Sequence, residues 1–70
     1  MKWLEGQTIA FEQAAQEGKQ FYMRKYKRYG EYHNPKIVSA EVALKKSKVL
    51  VEGYYEDDGW FCPYEFQIIE

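Results

Sequence analysis

The chain has 70 residues, a net charge of −1 and an aromatic content of 19%. A chain this short supports one domain, residues 1–70, with one small core, and leaves no room for a second domain or a deep cleft. Its 10 Lys and Arg against 11 Asp and Glu exclude both a uniformly basic nucleic-acid protein and an acidic imitator of DNA.

The charge is uneven. Tyr22 to Tyr29, YMRKYKRY, carries +4 on Arg24, Lys25, Lys27 and Arg28, which leaves −5 on the other residues. Seven tyrosines and two tryptophans supply much of the area available for a core or a contact surface. The single cysteine, Cys62, cannot close an internal disulfide, and no basic-then-apolar leader follows Met1. The expectation is a soluble protein of a reducing cytoplasm, without a membrane span, stabilised by packing or self-association.

In chain order, Thr8 to Glu17 predicts a short helix. Thr8 is a suitable N-cap, Ala10, Ala14 and Ala15 favour helix, and Gly18 stands where a left-handed C-terminal cap belongs. The next stretch, KQFYMRKYKRY, has two readings. As a strand it turns Phe21 and Met23 one way and Tyr22, Arg24, Tyr26 and Arg28 the other. As a continued helix it would put Tyr22, Tyr26 and Tyr29 on one face. The strand is preferred, because rings suit a pleated surface and an interior Gly18 costs a helix about 1 kcal/mol.

Gly30 to Pro35 reads as a loop. KIVSAEVALK alternates, with Val38, Ala40, Val42 and Leu44 on one side, and predicts a half-buried strand. Val49 onward resumes extended structure, and Asp57 to Gly59 predicts a hairpin turn. In WFCPYEFQII, Trp60, Cys62, Tyr64, Phe66 and Ile68 would share one face, with Pro63 forcing an edge, a bulge or a short interruption. The expected fold is α+β: one N-terminal helix packed on a small curved antiparallel sheet of three to five strands, connected as a meander.

Two stretches carry resemblances. FEQAAQEGKQFYMR, Phe11 to Arg24, resembles the opening of many short phage and prophage reading frames, in which a small helix ends in Glu-Gly-Lys and feeds a strand. The Thoeris anti-defence proteins, which sequester nucleotide signals, include examples. The resemblance implies a phage-type accessory or inhibitor protein in the host cytoplasm. This chain lacks the family's closing tryptophan and acidic motifs, so no ligand residue is carried over. DDGWFCPYEFQII, Asp57 to Ile69, resembles the C-terminal ordering of SH3-like barrels and implies a small curved sheet.

Enzyme chemistry finds little material. His33 in a loop and Cys62 on an apolar alternation are the one nucleophile and base pair of that kind, and solvent-facing and structural roles suit them better. Those two residues fall short of a zinc set, Glu56-Asp57-Asp58 lacks calcium-loop spacing, and no glycine-rich phosphate cradle occurs. No metal, cofactor or catalytic residue is expected.

Binding is better represented. Tyr22, Arg24, Tyr26 and Arg28 could meet a charged protein surface, or could stack on unpaired bases and pair with phosphates. Trp60 and Phe61, among the rings around the expected hairpin (Tyr54, Tyr55, Trp60, Phe61 and Tyr64), suit aromatic anchors of a protein contact or a homodimer. The first expectation is stoichiometric binding to a host or defence protein. Single-stranded nucleic-acid binding and small-molecule sequestration between protomers are the alternatives.

Overall fold

The computed structural model describes residues 3–52 and 59–70. Along the chain it places β1 (Leu4–Glu5), α1 (Ile9–Gln16), β2 (Phe21–Arg28), β3 (Glu31–Tyr32), β4 (Lys36–Val38), α2 (Ala40–Ser47), β5 (Val51–Glu52), β6 (Trp60–Phe61) and β7 (Tyr64–Ile68). The α+β class and the antiparallel sheet are as expected, but the described residues form two helices rather than one.

Local chemistry accounts for α1. The Thr8 hydroxyl accepts the Phe11 amide at 3.3 Å. At the other end the Gly18 amide donates to Ala15 and the Lys19 amide to Ala14, the paired bonds of a Schellman cap. Gly18 takes φ +76°, which a residue with a Cβ adopts only at a cost, so the helix stops and β2 begins where the sequence indicates.

The second helix replaces the strand expected across Lys36 to Lys45. Only Lys36–Val38 is extended; Ser39 then caps α2 by accepting the Val42 amide at 3.3 Å. Glu41 and Lys45 form an i,i+4 pair at 3.6 Å. The apolar alternation misleads because the buried side of α2 is made of small residues: Ala43 and Ser47 are buried and Ala40 half-buried, while Val42 and Leu44 are exposed. Small side chains let α2 come close to its neighbours. A methyl group at Gly6 would overlap the Ser47 Cβ and stand 3.4 Å from the Phe66 ring.

The larger sheet has order β1-β7-β2-β3, with β4 also pairing β2. The C-terminal strand thus inserts between β1 and β2, so the sheet is no simple meander. Tyr22 faces Gln67 and Ile37, Met23 faces Phe66, Arg24 faces Glu65, and Glu65 in turn faces Glu5. Strands β5 and β6 pair separately. Of the outcomes that Pro63 allows after Gly59, the structure has the short interruption: β6 and β7 lie in different sheets and are separated by Cys62 and Pro63, whose carbonyl accepts the Tyr26 amide at 2.7 Å. Asp57 and Asp58 of the expected hairpin turn lie outside the described residues, as do Tyr54 and Tyr55.

Three fully buried phenylalanines join the layers: Phe11 of α1, Phe21 of β2 and Phe66 of β7. Phe11 lies 5.0 Å from Phe21 and 4.6 Å from Phe66 between ring centroids. Ala14, Ala15 and Ala43 complete the buried cluster, with Met23, Tyr64 and Ile68 packed against it.

Substituting Gly6→Ala is expected to cost about 1–3 kcal/mol by overpacking. Combined with Ser47→Gly, the loss should be less than the sum of the single losses, because one contact is responsible. Denaturant midpoints of the four chains read this directly; additive losses would place the strain elsewhere.

Candidate binding groove on the open face of the sheet

Because Phe21 and Met23 point toward the helices, alternation turns Tyr22, Arg24 and Tyr26 to the opposite face. The fourth member of the expected row departs. Tyr26 pairs with Tyr32 but Arg28 pairs with Glu31, a register shift that reverses the alternation and takes Arg28 out of line. Beyond it, Tyr29 at φ +50° and Gly30 at φ +77° make the two-residue turn to β3, in place of the longer loop expected from Gly30. Tyr29 is 90% exposed, and its ring gains nothing from the core.

Arg24 is already engaged. Its Nε and one terminal nitrogen donate to Glu65 Oε1 at 3.0 and 2.8 Å. The guanidinium carbon lies 3.7 Å from the Tyr32 ring centroid and 4.4 Å from that of Trp3. Planarity suits a guanidinium to rings above and below and a carboxylate in its plane. Trp3, Tyr32 and Glu65 carry no signal in the sequence pattern, because the Arg24–Glu65 pairing joins residues 41 positions apart. Tyr22 and Arg28 are exposed, Tyr26 half-buried.

The Glu65 carboxylate also acts on the Tyr32 phenol, through hydrogen bonding and charge. Burial, then that bond and the Glu65 charge, hold the Tyr32 phenol above the ordinary tyrosine value of 10.0; Tyr26 adds to the rise, and Arg24 opposes it.

Tyr26 continues the aromatic chain, with edge-on contacts to Tyr32 at 5.5 Å and to Phe61 at 5.9 Å between centroids. The β5–β6 pair thereby leans on the sheet through Phe61 and leaves the adjacent Trp60 68% exposed. Between these parts runs a groove of about 410 Å³, whose lining includes Glu5, Tyr26, Tyr32, Trp60, Phe61 and Glu65. Of the residues singled out in the sequence, Tyr26, Trp60 and Phe61 meet here. Tyr22, Arg24 and Arg28 are not in the lining.

His33 is exposed, and Cys62 is half-buried, with its thiol donating toward the Lys46 carbonyl at 3.5 Å. Among the described residues no group of three or more His, Cys, Asp or Glu could hold a metal ion, and no helix is long and apolar enough to cross a membrane. No protein-family model, curated protein or solved structure matches the chain.

Arg24→Ala should lower stability by about 1–3 kcal/mol, because it removes charged hydrogen bonds and ring contacts together. Arg28→Ala, at an exposed site, should change it by less than about 0.5 kcal/mol. Equal effects in thermal or denaturant unfolding would contradict the distinction.

The raised Tyr32 value also fixes a sign. The folded chain keeps a proton that the unfolded chain releases near pH 10, so this contribution is complete below that pH and is lost as pH rises through the folded-state value. In Glu65→Gln, NMR titration of the Tyr32 ring should move down toward 10.0, since the Glu65 bond and charge are lost while Arg24, which lowers the value, remains. An unchanged titration would remove Glu65 as a cause.

Proposed function

We propose that this chain is a small non-enzymatic binding protein that occupies a partner protein stoichiometrically, with Trp60 and Phe61 as anchors at the ring-lined groove. The supporting observation is the 68% exposure of Trp60 beside a half-buried Phe61. A tryptophan left in water on a supported strand has apolar area to gain from a partner, and tryptophan is enriched among residues that dominate binding energy. The resemblance of Phe11 to Arg24 to short phage proteins supports a phage-type accessory or inhibitor setting, with a host or defence protein as partner.

Single-strand nucleic-acid binding is the second reading. Exposed Lys25, Lys27 and Arg28 favour it. The pairing of Arg24 with Glu65 counts against it, because a cation hydrogen-bonded within the chain is less available to phosphate.

Affinity capture from a bacterial lysate separates the two. A protein should be retained at fixed stoichiometry after nuclease treatment and at raised salt, and lost with Trp60→Ala while thermal unfolding stays unchanged. Retention abolished by nuclease, weakened steeply by salt and indifferent to Trp60→Ala would reverse the choice.

A further inference from the structure

The protein-binding reading leaves open what chemistry the groove accepts, and its lining is specific on that point. Among the described residues of the lining, five rings, Tyr26, Tyr32, Trp60, Phe61 and Tyr64, stand with the carboxyl residues Glu5 and Glu65, and there is no Lys, Arg or His. Ring faces are negative, so rings and carboxylates favour the same ligand charge. We propose that the groove receives a basic side chain, arginine or lysine, from an extended segment of the partner protein. This rests on the protein-binding reading and reverses the charge of partner that the YMRKYKRY stretch suggests.

The molecule contains one instance of this recognition. Arg24 lies against Tyr32 and Trp3 with its nitrogens on Glu65, the set of contacts that an incoming guanidinium would need. Arg24 thus offsets the Glu65 charge, and the amines of Lys25 and Lys46 stand 5.9 and 5.3 Å from the Tyr64 ring centroid. The Tyr64 end is therefore already served by cations. Glu5 remains: among the described residues its carboxylate has no ion-pair partner, so it supplies the charge that the incoming side chain meets.

A segment of chain suits the groove better than a free amine. Leu50, 52% exposed, and Trp60 both belong to the lining. A bare amine would leave that apolar area in water, whereas residues flanking a basic side chain would cover it.

The test uses the whole chain and four capped pentapeptides, Gly-Gly-X-Gly-Gly, in which X is arginine, lysine, norleucine or glutamate, followed by amide NMR. The arginine and lysine peptides should shift the signals of Glu5, Tyr32, Trp60 and Phe61 and bind roughly tenfold tighter than the norleucine peptide, with glutamate weakest. Glu5→Gln should weaken the arginine peptide several-fold while leaving the norleucine peptide unchanged. Equal affinity for norleucine and arginine, shifts centred elsewhere, indifference to Glu5→Gln, or binding of free spermine as tight as that of the arginine peptide would each overturn the proposal. Capture from lysate that depends on Trp60 but survives Glu5→Lys would sink the cationic ligand and leave the protein-binding reading intact. Capture indifferent to Trp60 would sink that reading itself.

Discussion

The contact among Phe11, Phe21 and Phe66 is the constraint from which the rest follows. It ties α1 to two neighbouring central strands, and it fixes which face of each strand is inside. Once Phe21 and Phe66 are committed to the helices, the period of two leaves no freedom for their neighbours. Tyr22 and Arg24 on one strand, and Glu65 and Gln67 on the other, must stand on the open face. The antiparallel register then sets Arg24 opposite Glu65.

This accounts for how an exposed-looking run of charge becomes part of the fold. A sheet covered on one side only needs some cover on the other, and a 70-residue chain has few apolar residues to spare. Arg24, Glu65, Trp3 and Tyr32 provide that cover as a small polar and aromatic layer. Tyr26 and Phe61 extend it to the β5–β6 pair, which presents Trp60. The groove arises where this layer ends, and for that reason its lining is rich in rings and carboxyl groups while Arg24, Lys25, Lys27 and Arg28 lie outside it.

The parts legible in the sequence are those governed by local chemistry. Thr8 and Gly18 mark the ends of α1 to within a residue, and the Phe21–Met23 alternation identifies the buried face of β2. Helix α2 was hidden because its packing side is Ala40, Ala43 and Ser47, whose small size serves close approach, while the more apolar Val42 and Leu44 mimic a strand's alternation. The site was legible by half. Tyr26, Trp60 and Phe61 stand out by residue type, but Glu5, Tyr32 and Glu65 depend on pairing between distant strands. The displacement of Arg28 depends on a bulge at Lys27, which carries no signal in the residue types.

The facing of Arg24 expresses the whole arrangement, so its environment is the most direct measurement. In a nuclear Overhauser spectrum of the wild-type chain, Arg24 δ-methylene protons should be shifted upfield and should show cross-peaks to the Trp3 and Tyr32 rings. The rings of Phe11, Phe21 and Phe66 should in turn show cross-peaks to one another. Arg24 protons at ordinary solvent-exposed shifts, or in contact with Phe11, would contradict both the assignment of faces and the groove built on it.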